Sequence, residues 1–220
     1  MPKAHNARTE RRPPLNRARV LDAGIALADT EGVDALTMRR LGGTLGVEAM
    51  ALYNHVDNKE DLFDGMLDRV AEEITLPDAG LPWRDYARAR AVSAHTALMR
   101  HRWAAAMWTA RISLGPARMR YMDGALRSLR EAGFPAGLLD LTYHAIENHI
   151  VGHALQAQGF PLEAAEMTAM GEGFLRTFPT DRYPDLAAHI RHHLDHPTGD
   201  DFEFGLDLIL DGLERMRAAI

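Results

Sequence analysis

Three observations predict an all-α fold for this chain. Apolar residues recur at spacings of three and four between Gly and Pro punctuation. Alternating runs rich in Val, Ile and Thr, the mark of half-buried strands, are almost absent. At 220 residues and 46% hydrophobic content the chain can bury a core of ordinary size, and roughly 150 residues per domain allows one or two domains. A break at Pro77-Asp-Ala-Gly-Leu-Pro82 divides a small N-terminal unit from a larger helical one.

The first helix begins after Pro13 and Pro14, with Leu15 as a hydrophobic staple and Asn16 as N-cap. Val20, Leu21, Gly24, Ile25 and Ala28 share one face, and Gly32 stops the helix. Thr37 caps a short second helix with the stripe Met38, Leu41 and Leu45, and Gly46 stands where the chain must take positive φ to reverse. A third helix is predicted over Glu48 to His55. Asn58-Lys59-Glu60-Asp61 then caps a fourth, striped by Leu62, Phe63, Met66, Leu67, Val70 and Ile74. Beyond the break, helices are predicted over about Trp83 to Arg102, Trp103 to Arg111, Pro116 to Ala132, Pro135 to Gln158, Leu162 to Arg176, Tyr183 to Asp195, and from Asp201 onward.

Composition removes several functional classes. With no cysteine there is no disulfide framework, thiolate zinc site or cysteine nucleophile. No apolar run reaches the roughly 18 to 20 residues needed to span a bilayer, and the basic N-terminus lacks the apolar stretch of a signal peptide, so a cytoplasmic location is expected. The net charge of −6 is unevenly distributed. Residues 1 to 59 hold nine Lys or Arg against seven acids, leaving −8 on the remainder, and six of the nine bases precede Val20. A basic arm therefore precedes an acidic body that would repel nucleic acid and orient the basic end toward it.

A short helix, a glycine turn and a second short helix behind a longer one can lay one helix in a DNA major groove. Leu41, Leu45, Val47, Leu52 and Val56 make the internal face here, leaving Ala49, Met50, Tyr53 and Asn54 outside. Periodicity alone fits an ordinary helical hairpin equally well. The residues themselves go further: Leu36, Thr37, Arg39, Leu41, Leu45, Gly46, Val47, Leu52, Tyr53, His55, Val56, Asn58, Lys59 and Leu62 form a string that resembles the N-terminal domain of the tetracycline-repressor (TetR) family, with Gly42 in place of that family's usual alanine. Phe204 to Glu214 is similar to the last, dimerising helix of the tetracycline-repressor branch, and Gly133-Phe134 falls in a matching inter-helix loop.

The resemblance implies a ligand-responsive DNA-binding regulator, a homodimer that acts as a repressor on double-stranded operator DNA, with no enzymatic activity and no cofactor. Its domains would be a basic flexible arm at 1–16, a helix-turn-helix DNA-binding domain at 17–76, and a helical effector-binding and dimerisation domain at 77–220. By family pattern Met38, Arg39, Ala49, Met50, Ala51 and Asn54 would approach bases or sugars, Tyr53, His55 and Lys59 would hold phosphates, and Thr37 belongs to the same DNA-binding set. Of these, Arg39 and Asn54 offer strong polar readout, and Ala49, Met50 and Ala51 can contact thymine methyls. The arm from Lys3 to Arg19 would add phosphate or minor-groove contacts, or serve as a solvated tail; both readings stand. The dimer would pair the helix near Pro135 to Gln158 with the last helix through a seam of Leu206, Ile209, Leu213 and Met216.

For the effector, an apolar pocket is expected, lined by Trp103, Met107, Trp108, Met122, Leu129, Tyr143, Glu147 and Phe174, since aromatic and Met side chains give adaptable contact with few polar anchors. The family's namesake supplies a histidine ligand to a drug-bound magnesium ion from this region. Trp108 or Met107 stands there in this chain, which points to a hydrophobic or aromatic small molecule bound without metal. His149 and His153 are an i, i+4 pair with His144 and Glu147 nearby, a spacing that permits metal, but the glutamate that a zinc-protease motif requires after its first histidine is absent. His189, His192, His193 and His196 read as a solvated helix end, and no metal is assigned. Neither a Gly-rich phosphate loop nor a G-x-S-x-G elbow is present to support an enzyme.

Overall fold

A computed structural model describes residues 14–78, 80–111, 113–159, 164–195 and 201–219. Most of the basic arm, the start of the helix expected from Leu162, and His196 lie outside the described residues. Within them the chain forms eleven α-helices, a 3-10 turn at Val33–Ala35 and no strand. It divides into two compact units, Met1–Met66 and Leu67–Ile220.

The first unit holds α1 (Arg17–Glu31), α2 (Met38–Leu45), α3 (Ala49–Leu52) and the first half of α4 (Lys59–Glu72). The Asn16 side chain accepts from the Arg19 amide at 2.9 Å and opens α1, and Gly32 ends it at φ 84°. Leu27 joins Val20, Leu21, Gly24 and Ala28 on the buried face, whereas Ile25 is only half-buried. Leu36, Leu41, Leu52, Leu62 and Met66 are wholly excluded from solvent, so the apolar spacing of this stretch does make one core. The third helix is shorter than expected. Regular α-helix stops at Leu52, and the chain turns on through i→i+3 bonds from Asn54 to Ala51 and from His55 to Leu52.

The second unit is built around α8 (Ala136–Gly159), 24 residues long. Around it pack α5 (Trp83–Arg100), α6 (Arg102–Ala110), α7 (Pro116–Glu131) and α11 (Asp201–Ala218), while α9 (Ala164–Thr177) packs on α10 (Pro184–Asp195). Pro116 opens α7 at its first turn, where no amide donor is needed, and Gly133 at φ 83° redirects the chain toward α8. On α11 the inward stripe is Phe202, Leu206, Leu210 and Leu213. Leu206 and Leu213, read from sequence as dimer seam, thus fill their own subunit's core; Ile209 is half-buried and Met216 exposed. Phe204 and Leu208 of α11, with Leu141 and Leu155 of α8, present large apolar side chains to solvent. No described helix is long and apolar enough to cross a membrane.

Candidate functional site

In the first unit, α2 and α3 meet across a turn that only glycine permits. Gly46 takes φ 70°, and the Val47 amide returns to the Gly42 carbonyl at 2.9 Å, closing α2. At Gly42 a methyl group would lie 2.8 Å from the Val47 carbonyl oxygen and 3.2 Å from the Ala49 nitrogen, so the two helices touch through backbone. Thr37 accepts from the Arg40 amide at 3.1 Å and sets the start of α2. These constraints aim the next segment outward: Met50 is 74% exposed and Tyr53 43%, and Arg39, Asn54 and Lys59 are exposed as well. Thr37 is exposed, while Met38, Ala49, Ala51 and His55 are half-buried. The Lys59 ammonium lies 5.2 Å from the Phe63 ring centre, and Arg40 pairs with Glu31.

A polar clamp fixes the far end of the outward segment, and sequence reading missed it. Arg17 of α1 makes a two-pronged bond to Asp61, 2.7 Å on each prong, and its Nη1 also donates to the His55 carbonyl at 2.9 Å. Asp61 accepts the Asp57 amide at 2.9 Å as well. The hydrogen bond from Arg17 holds the Asp61 carboxyl below its ordinary range. Both residues sit in first turns of helices, where a capping or solvated role is the default reading; no sequence signal joins them.

In the second unit a cavity of about 380 Å³ opens between α6, α7 and α8. Four of the eight expected lining residues reach it: Trp108, Met122, Tyr143 and Glu147. Phe174 instead lines a separate cavity of about 710 Å³ together with His153, His189 and His193. Trp103 and Leu129 are buried and, like Met107, do not line the first cavity, because the same aromatic and aliphatic side chains also fill the core around it.

The floor of the first cavity is charged. Arg90, 2% exposed, donates to Glu147 Oε1 at 2.6 Å, and the Tyr121 hydroxyl donates to the same oxygen at 2.8 Å. The guanidinium also lies 4.7 Å from the Tyr121 ring centre. Burial opposes the charge on Arg90, but the charge and hydrogen bond of Glu147 favour it, and the group stays protonated. Burial, with Glu147 adding to it, raises both Tyr121 and Tyr143, so both phenols stay neutral. At the α7 end, Arg118 donates to the carbonyls of Trp108 at 2.7 Å and Ser113 at 3.0 Å, packs 5.0 Å from the Trp108 ring centre, and through its backbone amide reaches Asp68 of α4 at 2.9 Å.

Residues 20–66 match the family model for bacterial regulatory proteins of the tetR family, and residues 76–217 match that for the tetracyclin repressor-like C-terminal domain. The chain belongs to the tetracycline-repressor family. It is 33% identical over 216 residues to the HTH-type transcriptional repressor DrrR1 of Streptomyces coeruleorubidus, covering 92% of this chain and 78% of that protein. It is 32% identical over 206 residues to the class C tetracycline repressor of Escherichia coli, covering 92% of each. Among solved structures, apo ActR of Streptomyces coelicolor aligns with a TM-score of 0.76 at 27% identity, covering 95% of this chain and 99% of that one; ActR in complex with actinorhodin aligns at 0.75 and 28%, covering 93% and 99%.

The tetracycline-repressor family is one of DNA-binding transcriptional regulators, not of enzymes, and the family model over residues 20–66 spans the outward-facing motif of Thr37 to Val56. The α8 histidines have protein partners: His149 Nε2 lies 2.8 Å from the Phe202 carbonyl, and His153 Nδ1 lies 2.9 Å from His95 Nε2. The His95 and His149 rings both lie nearly parallel to that of Phe202, at 3.8 and 4.9 Å between centres. Among the described residues no group of three or more His, Asp or Glu is arranged to hold a metal ion.

Proposed function

We propose that this chain is a cytoplasmic homodimeric repressor that leaves its operator when a small aromatic molecule enters the cavity between α6, α7 and α8. The observation that carries the reading is the cavity itself, about 380 Å³, walled by Trp108, Tyr121, Met122 and Tyr143 over a buried carboxylate. The ActR structures, which hold actinorhodin and (S)-DNPA, support a small-molecule effector of this kind.

In this reading Arg39 and Asn54 read base edges, Met50 and the flanking alanines contact thymine methyls, and Tyr53, His55 and Lys59 hold phosphates. Two copies associate through the apolar residues left open on α8 and α11, namely Leu141, Leu155, Phe204 and Leu208, rather than through Leu206 and Leu213, which are already spent on the subunit core. An effector acts by favouring a geometry that mis-spaces the two recognition segments, and its leverage is its difference in affinity between the two states. α4 runs from Lys59 to Glu72, and its Asp68 accepts the Arg118 amide.

Selection of binding sites from a random double-stranded DNA library tests the proposal. A two-fold symmetric site should emerge, and Leu208→Glu should yield monomers by light scattering that enrich none. Enrichment of a single unrepeated half-site, or of nothing by the parent protein, would overturn the dimeric reading.

A further inference from the structure

Glu147 stands on the cavity floor with its two oxygens unequally used. Both hydrogen bonds it receives, from Arg90 at 2.6 Å and from the Tyr121 hydroxyl at 2.8 Å, land on Oε1. The residue is 9% exposed, and what exposure it has is to the cavity it lines. Oε2 receives neither of these bonds, and the space that Glu147 borders is the cavity. Of the two arginines that line the cavity, Arg111 and Arg118, the latter has little to offer a ligand: it spends Nη1 and Nη2 on the carbonyls of Ser113 and Trp108 and packs its guanidinium against the indole. Tyr121 points its one proton at Oε1. Glu147 is thus the anionic acceptor among the lining residues, beside Arg111, Tyr143, His144 and Asn148, which also border the cavity. A buried acceptor left without a donor is costly, so a ligand that supplies one is favoured over a shape-equivalent ligand that does not.

Resting on the assignment of this cavity as the effector site, we propose that Glu147 is its specificity-determining residue and that the effector is a planar aromatic molecule carrying a hydrogen-bond donor, a phenolic hydroxyl or a protonated amine, aimed at Oε2. Arg90 is a positioning residue: it takes up one oxygen of the carboxylate, so that the other is presented singly.

Four probes of one ring size separate the possibilities on the full-length protein, read by tryptophan quenching and calorimetry: 2-naphthol, 2-naphthylmethylammonium, 2-methoxynaphthalene and 2-naphthoate. The hydroxyl and ammonium probes should bind at least about tenfold tighter than the methoxy probe, the worth of one good hydrogen bond, and 2-naphthoate weakest of all. The ratio of ammonium to hydroxyl affinity reports which donor is preferred. Glu147→Gln should erase the ammonium preference. Because that change leaves Arg90 buried without its counter-charge, the paired variant Arg90→Met with Glu147→Met provides a folded control in which all four probes converge within about threefold. Preferential binding of 2-naphthoate, or donor selectivity that survives in both variants, would overturn the proposal while leaving the cavity reading intact. If Trp108→Ala leaves every probe's affinity unchanged, or no probe binds the parent protein, the cavity is not the site and both readings fall.

Discussion

The two units of the chain each depend on an arginine bonded to a carboxylate, in opposite surroundings. Arg17 and Asp61 meet at 2.7 Å at the surface, with side chains 46% and 28% exposed; Arg90 and Glu147 meet at 2.6 Å in the interior, at 2% and 11%. At the surface the ions keep much of their hydration, and the bond adds little energy while fixing the direction of the His55 carbonyl. In the interior hydration is gone, and each charge depends on the other. The first unit keeps its working groups outside on a conventional apolar core. In the proposed reading the second keeps them inside, where they would govern both stability and what can bind.

The largest effect that sharpens this contrast is expected from Arg90→Met, which strands the Glu147 charge. Urea denaturation should register a loss of about 3 to 5 kcal/mol, most of it regained when Glu147→Met is added. A loss below about 1 kcal/mol would break the comparison, since it would make the buried pair no more demanding than the exposed one. Next is Asp61→Asn, expected to cost about 1 kcal/mol or less. The folded Asp61 carboxyl titrates below its ordinary value of 3.8 because Arg17 donates to it. Its contribution is therefore complete at neutral pH and disappears as pH falls from that ordinary value through the lower folded one. Parent and Asp61→Asn melting curves should converge on acidification across that window, and a gap that widens there would reverse the assignment. The smallest effect on stability is expected from Lys59→Ala, within about 0.5 kcal/mol, yet the slope of log affinity for DNA against log salt should flatten by up to about one unit. An unchanged slope would remove Lys59 from the phosphate contacts.

The first unit was legible because its determinants are local. Thr37 and Gly46 bracket α2, and Leu41, Leu52 and Val56 are close enough in sequence for periodicity to reveal their shared face. The extent of α3 was not, because nothing local requires the chain past Leu52 to tighten into i→i+3 bonds. On α11, Phe202, Phe204, Leu206, Leu208, Ile209, Leu210, Leu213 and Met216 put apolar groups on more than one face, so spacing alone supports two different stripes, and only the packing of α5 and α8 selects the buried one. Cavity walls were half legible for a related reason. Trp108 and Trp103 are chemically the same residue on one helix, and whether an indole borders empty space or packed neighbours depends on side chains far away in sequence. Arg90 and Arg118 were invisible to pattern, since an arginine on a helix ordinarily marks its solvated face.

Gly42 carries a consequence for anyone who would stabilise this protein by drifting it toward its relatives. Replacing an atypical residue with the family's commonest one is a dependable route to a sturdier fold, and here that substitution would be Gly42→Ala, which should also favour α2 through helix propensity. But the added carbon would arrive 2.8 Å from a main-chain oxygen, which cannot swing aside as a flexible side chain can. The spacing between α2 and α3 would have to widen instead. In this member an alanine at position 42 conflicts with the present placement of Met50, Tyr53 and Asn54, so a sturdier helix would come at the expense of the surface proposed to meet the groove.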